Sequence, residues 1–162
     1  MKLIDDSLPK NIKIALCGLA DEENLKRINK IGIQNRISYI GWIDGAEKDA
    51  LLKRTIVNVL PSYREGLPMT ILETMALGIP NIVSDISTIP EVIQNGENGL
   101  LVSPGNVRQI ADLIKRVVME DSFRKKLSHN SYETISSRFE IGKHIKKIET
   151  IYKNLFEEQY SC

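Results

Sequence analysis

The sequence predicts an α/β fold, with a Rossmann-like parallel sheet flanked by helices and a helical C-terminal region. Short apolar runs rich in Ile, Val and Leu recur without strict alternation, which is typical of strands covered on both faces. Helical patterns separate these runs, and strands that alternate with helices favour a doubly wound parallel sheet. After Asn106 only helical spacing remains.

The apolar runs and the patterns between them assign the elements of the sheet portion in order. We expect strands at 12–17, 37–40, 56–60, 81–83 and 99–102. We expect helices at 21–32, 46–54, 68–77 and, in a shorter form, 90–94.

The C-terminal region begins after the break Ser103-Pro104-Gly105. One helix is expected from Asn106, a second from an N-cap at Asp121 towards Ser136, and a third over about 141–156. The third helix carries an apolar stripe that favours a docking face: Ile145, Ile148, Ile151, Tyr152, Leu155 and Phe156. We therefore expect one domain over 1–162, with a sheet portion at 1–105 and helices at 106–162.

Composition limits the function classes. The 162 residues include 42% hydrophobic and 27% charged residues, with a net charge of +1, so we expect no nucleic-acid partner. Cys17 and Cys162 form neither a disulfide framework nor a metal-ligand spacing. The sequence has no run of membrane-span length and no signal-peptide pattern, so we expect a cytoplasmic location.

The segment after the third strand carries the strongest indication of chemistry. Pro68 is expected at the first helical position, where its fixed φ suits the helix. The amides of Met69, Thr70 and Ile71 would then lack helical partners and form an anion site suited to a diphosphate. Gly66 would let a ligand approach the backbone closely.

Two glutamates flank this expected anion site. Glu73 lies five residues beyond Pro68, roughly 7.5 Å along the axis, and shares an expected polar stripe with Thr70 and Thr74. A carboxylate at Glu73 could accept from both hydroxyls of a ribose, and Glu65 would lie near the other end of the ligand. Solvated or salt-bridged surface glutamates are the alternative reading of this spacing.

The segment 65–80, EGLPMTILETMALGIP, closely resembles the signature of family 4 (group 1) glycosyltransferases of the GT-B fold. Further segments resemble the same family in the same order. They are Leu16-Cys17-Gly18, Arg36-Ile37-Ser38-Tyr39-Ile40-Gly41-Trp42, Val59-Leu60-Pro61-Ser62, Pro90-Glu91-Val92-Ile93 and Asn98-Gly99-Leu100-Leu101-Val102.

The resemblance implies the C-terminal, donor-binding half of a retaining glycosyltransferase. Such enzymes transfer sugar from a nucleoside-diphosphate sugar to a glycan or lipid-linked acceptor, in cell-surface polysaccharide or glycoconjugate synthesis. They require no metal and no other cofactor.

By the same resemblance, individual residues take roles. Glu65 is the catalytic glutamate that contacts the sugar near the reacting carbon, and Glu73 binds the ribose. Ser38 and Tyr39 lie near the base. Residues that line the sugar and diphosphate are Gly66, Leu67, Pro68, Met69, Thr70 and Ile71.

The sequence also departs from the family. Family members carry an acceptor-binding N-terminal domain and a Gly-Arg strand with a nearby Lys before the region seen here; we expect this chain to be truncated on that side. The isolated chain is then expected not to turn over substrate, and Arg64 to replace the missing cations in part. Membrane contact at the inner face would come through the missing half. Ser87-Thr88-Ile89 stands where family members often have glycines.

Two other functions remain open from the sequence. The chain could be a nucleotide-binding or interaction module without catalysis, or another GT-B enzyme such as a nucleotide-sugar epimerase. His129 and His144 are expected on helix surfaces, because no nucleophile accompanies either. Donor base, donor sugar, acceptor and linkage cannot be read from the residues.

Overall fold

The computed structural model describes residues 8–30 and 36–160. In this part of the chain, five strands form two parallel sheets. Strands β1 (Ile14–Cys17) and β2 (Ile37–Gly41) pair in one sheet. Strands β3 (Asn58–Leu60), β4 (Asn81–Ser84) and β5 (Leu100–Val102) form the other, with β4 in the centre. The predicted α/β class is confirmed.

Helices follow the strands in the predicted order. They are α1 (Glu22–Lys30), α2 (Gly45–Leu52), α3 (Met69–Ala76), a 3-10 helix (Ile89–Glu91), α4 (Val107–Met119), α5 (Asp121–Arg138) and α6 (Ile141–Tyr160). The end of the helix expected at 21–32 lies outside the described residues.

Local capping sets the starts of the C-terminal helices. The side chain of Asn106 accepts from the amide of Gln109 at 3.1 Å and caps α4, as expected for asparagine before a helix. The N-cap of α5 is Glu120, so the prediction of Asp121 at that position was wrong by one residue. Asp121 instead lies in the first turn, where its negative charge suits the helix dipole.

The described strands of the predicted Rossmann-like parallel sheet fall into two groups. Within the described strands, β1 pairs with β2 and β3 pairs with β4, and no ladder joins the two groups. Every residue of β4 is buried, whereas Ser38, Tyr39 and Ile40 of β2 are exposed. Strands covered on both faces were therefore predicted correctly for β4 and wrongly for β2.

Strand β4 separates two apolar clusters, because neighbouring residues of a strand point to opposite faces of the sheet. Val83 packs with Ile71 and Met75 of α3. Ile82, on the other face, packs with Val117 of α4 and Leu127 of α5. Each of these side chains is fully buried, and each such burial contributes about 1.5–3 kcal/mol relative to exposure.

A buried polar chain ties α3 to the central strands. The side-chain oxygen of Asn81 accepts from the amide nitrogen of Asn58 at 2.7 Å and from the hydroxyl of Thr74 at 2.9 Å. The side-chain nitrogen of Asn81 donates to the carbonyl of Ile79 at 3.1 Å. Asn81 and Thr74 are fully buried, and these hydrogen bonds replace the bonds to water that their polar atoms lose on folding.

Two residues adopt left-handed backbone conformations at turns near this core. Gly78, with φ of 66°, ends α3, and a Cβ there would lie 3.0 Å from the hydroxyl of Ser128 on α5. Ser87 has φ of 50°, which costs a non-glycine residue about 1–2 kcal/mol. Ser87 belongs to the segment Ser87-Thr88-Ile89, where the sequence departs from the glycines that family members often have.

Helix α6 presents its apolar stripe to solvent. Its large apolar side chains remain between 39% (Ile148) and 75% (Ile141) exposed. The docking role predicted for this stripe stays a prediction. Across the described residues, no helix combines the length and apolar character that a membrane crossing requires.

We predict that Asn81→Ala lowers the free energy of unfolding by about 2–3 kcal/mol, because it leaves the Asn58 amide and the Ile79 carbonyl without their buried partner. Urea unfolding measures the change. Asn24→Ala, at an exposed position on α1, is the matched control and should cost less than about 0.5 kcal/mol. Equal losses for the two variants would contradict the role given to Asn81.

Candidate functional site

The site begins where β3 ends and α3 starts. Pro68 has φ of −63° and ψ of 129°, so it is the N-cap, and Met69 is the first helical residue. The prediction of Pro68 as the first helical residue was therefore wrong by one position. An extended N-cap suits proline, which has no amide to satisfy and a fixed φ.

The number of open amides at the start of α3 also differs from the expectation. The amide of Ile71 donates to the Pro68 carbonyl at 3.0 Å, so it is already used. The amides of Met69 and Thr70 lie at the open end of the helix, where no preceding turn can accept from them. The start of α3 therefore offers two open amide donors, where three were predicted.

The loop before α3 is anchored at two points. Leu67 is half-buried and packs against the cluster that contains Ile71 and Met75. Part of the Leu67 side chain is thus used in core packing, which holds this end of the loop. At the other end, a Cβ on Gly105 would lie 2.9 Å from the hydroxyl of Tyr63, so these two residues pack closely.

Gly66 lies between these anchors and faces open space. A Cβ built on it would meet no atom within 4 Å. Close packing inside the protein therefore does not explain glycine here. An approaching ligand would explain it, as the sequence predicted, because a side chain would occupy the space in front of the backbone.

Glu65 and Arg64 are both exposed in this loop. The hydroxyl of Ser62 donates to one carboxylate oxygen of Glu65 at 3.0 Å, which orients the carboxylate within the loop. The second oxygen can still accept hydrogen bonds from a ligand. Ser62 was not singled out from the sequence, although its position three residues before Glu65 is typical of a local side-chain contact.

Glu73 lies on the face of α3 opposite the core and pairs with Lys48 of α2. The Lys48 ammonium donates to Oε1 of Glu73 at 2.8 Å, and the two side chains are 36% and 34% exposed. The hydrogen bond with Glu73 raises the pKa of Lys48 above its ordinary value. Sequence reasoning missed Lys48, because its partner lies 25 residues away and no local pattern links them.

The prediction of a polar stripe on the outer face of α3 was wrong at one position. Thr70 and Glu73 lie on the outer face, but Thr74 is fully buried and donates to backbone or to Asn81. Ala76, near the end of α3, is exposed. Thr74 can be buried because β4 supplies an acceptor for its hydroxyl, which the helical period alone does not reveal.

Ser38 and Tyr39 lie on β2, in the other sheet. The Tyr39 hydroxyl donates to the Gly18 carbonyl at 2.8 Å and accepts from the amide of Ala20 at 3.1 Å. Tyr39 thus holds the loop between β1 and α1. Ser38 is exposed and stands opposite Ala15 in the ladder.

The remaining titratable candidates lie away from α3. His129 on α5 and His144 on α6 are exposed, as predicted. Over 8–30 and 36–160, no three His, Cys, Asp or Glu side chains are grouped so that they could hold a metal ion. The groups near the start of α3 that could act on a ligand are two open amides, the carboxylates of Glu65 and Glu73, and the cations of Arg64 and Lys48.

Comparison with known proteins adds to this geometry. The family model for glycosyl transferases group 1 matches residues 1–134. An uncharacterized glycosyltransferase of Methanocaldococcus jannaschii is 27% identical over 149 residues, covering 91% of this chain and 38% of the relative. The N-acetyl-alpha-D-glucosaminyl L-malate synthase of Bacillus anthracis is 27% identical over 134 residues, covering 83% of this chain and 35% of the relative.

A solved structure shares the fold. The Anabaena protein HepE in complex with UDP superposes with a TM-score of 0.82 at 21% identity, covering 95% of this chain and 45% of that chain. The same protein has also been solved with UDP-glucose. The 162-residue chain spans only 38% of the length of the Methanocaldococcus relative and 35% of the length of the Bacillus relative.

Proposed function

Because the chain belongs to the group 1 glycosyltransferases, we propose that it is the donor-binding half of a retaining enzyme. The enzyme would transfer sugar from a nucleoside-diphosphate sugar to a glycan or lipid-linked acceptor. The observation that carries the proposal is the open start of α3, which faces unoccupied space at Gly66 and has a carboxylate on either side.

The first step of the argument concerns the diphosphate. The amides of Met69 and Thr70 and the positive end of the helix dipole would bind it. Gly66 would let its oxygens approach the backbone, since no protein atom occupies that space. Arg64, exposed in the same loop, would add positive charge at the mouth of the site.

The second step concerns the two ends of the donor. Glu73 lies on the outer face of α3, where its carboxylate can accept from vicinal hydroxyls of a ribose. Glu65, oriented by Ser62, would contact the donor sugar near its reacting carbon. The donor would therefore run from its ribose at Glu73, past its diphosphate at the start of α3, to its sugar at Glu65.

The chemistry is a substitution at the anomeric carbon. The acceptor oxygen forms a new bond to that carbon while the bond to the diphosphate breaks, and the acceptor proton passes to a diphosphate oxygen. Donors that stabilise the negative charge growing on the leaving group lower the barrier. We propose that backbone amides and nearby side chains supply this stabilisation without a metal, and that attack and departure share one face, so that configuration is retained.

The comparisons support this proposal in outline. HepE, which shares the fold, binds UDP and UDP-glucose, so uridine diphosphate is a suitable first probe. The acceptor site is proposed to lie in another half of the enzyme, because the chain spans little more than a third of its relatives.

We predict that the 162-residue chain binds one of uridine, guanosine or adenosine diphosphate in calorimetry. Glu73→Ala should weaken that binding about 10-fold or more, because the ribose hydroxyls lose a charged acceptor. Binding of pyrophosphate, which has no ribose, should change less than about 2-fold. Failure of all three nucleotides to bind the unaltered chain would refute the proposed donor site.

We predict that Gly66→Ala weakens binding of the same nucleotide about 10-fold by placing a methyl group where the diphosphate must lie. Its free energy of unfolding should change by less than about 0.5 kcal/mol, since the methyl group meets no protein atom. Gly142→Ala, the same substitution on α6, is the control and should leave nucleotide affinity unaltered. Unchanged affinity in Gly66→Ala would exclude ligand contact at this glycine.

A further inference from the structure

The ion pair between Lys48 and Glu73 joins helix α2 to helix α3. Lys48 lies on α2, which connects β2 to β3, and Glu73 lies on α3, which follows β3, so the contact links two successive helices of the chain. Its heavy-atom separation of 2.8 Å is that of a charge-assisted hydrogen bond. Both partners stay about one-third exposed, so the carboxylate remains open to a ligand.

The position of Lys48 is not explained by the stability of its own helix. It is the fourth residue of the eight-residue α2, near the helix start, where the dipole disfavours a positive charge. An ion pair this exposed stabilises a fold only weakly, so folding alone gives little reason for the pairing. The neighbouring charges of Asp44 and Asp49 add to the effect of Glu73 in raising the pKa of Lys48, which keeps the lysine charged.

The pair leaves room for a diol on Glu73. An ionised carboxylate has about four acceptor positions, and Lys48 occupies one of them on Oε1. Vicinal hydroxyls can therefore use positions on both oxygens while Lys48 stays in place. A glutamate already fixed by Lys48 loses less side-chain freedom when the ligand binds than a free one would, and such preorganisation favours binding.

We propose that Lys48 is a positioning residue that orients the Glu73 carboxylate towards the ribose of the bound nucleotide, a role that rests on the proposed donor site. Lys48 acts through Glu73 and does not itself contact the diphosphate. Loss of Lys48 therefore weakens recognition of the ribose hydroxyls and leaves recognition of the phosphates unaltered.

The test is calorimetry on the 162-residue chain with three probes: the ribonucleoside diphosphate that binds best, its 2′,3′-dideoxy analogue, and pyrophosphate. Lys48→Met should weaken binding of the ribonucleoside diphosphate about 5- to 10-fold, while the affinities for the other two probes should change less than about 2-fold. Lys48→Arg, which keeps the charge and a donor, should retain most of the affinity. Lys48→Met should add no further loss to Glu73→Gln, because the two residues act through one carboxylate.

The outcomes separate this inference from the proposed function. If Glu73→Gln weakens ribonucleotide binding but Lys48→Met does not, the positioning role is overturned and the donor site stands. If Lys48→Met weakens binding of pyrophosphate as much as binding of the ribonucleoside diphosphate, Lys48 contacts phosphate and the positioning role is again overturned. If the unaltered chain binds none of the probes, both proposals fail. Thermal unfolding of each variant, Lys48→Arg included, checks that the affinity changes do not arise from misfolding.

Discussion

The hydrogen-bonded chain of Thr74, Asn81 and Asn58 is the constraint on which the site depends. It joins helix α3 to the neighbouring strands β3 and β4 inside the core. Buried polar atoms that lose their partners cost about 1–3 kcal/mol each, so α3 cannot rotate or slide on the sheet without a large penalty. The chain therefore determines which face of α3 is packed and which faces outwards.

The orientation of α3 places the chemical groups of the site. Its core face carries Ile71, Thr74 and Met75, so Glu73 is directed to the opposite side. Its start follows the carboxyl end of β3, the edge at which open parallel sheets commonly bind ligands. The intervening loop is held by Leu67 in the core, which leaves Gly66 and Glu65 accessible beside the helix start.

Apolar packing, more than the Lys48–Glu73 pair, connects the two sheets. Ile14 of β1 and Ile114 of α4 both pack against the small cluster of Leu8 and Ala111, and Ile114 also packs against the cluster that contains Ile82 of β4. Full burial of an apolar side chain such as Ile82 contributes about 1.5–3 kcal/mol, whereas an ion pair as exposed as Lys48 and Glu73 stabilises the fold only weakly. The ion pair can therefore serve ligand recognition, since the fold does not rely on it.

The sequence alone determined the type and order of the described strands and helices, and it singled out the loop and helix at 61–76 as the site. These features have local signals: apolar period, turn residues, and the resemblance of a continuous segment. Tertiary structure decided that Thr74 is buried, that the amide of Ile71 is used, that the sheet is divided, and that Lys48 meets Glu73. Each depends on groups distant in sequence or on exact backbone geometry, because a helical period cannot tell which polar residue will find a buried partner on a neighbouring strand.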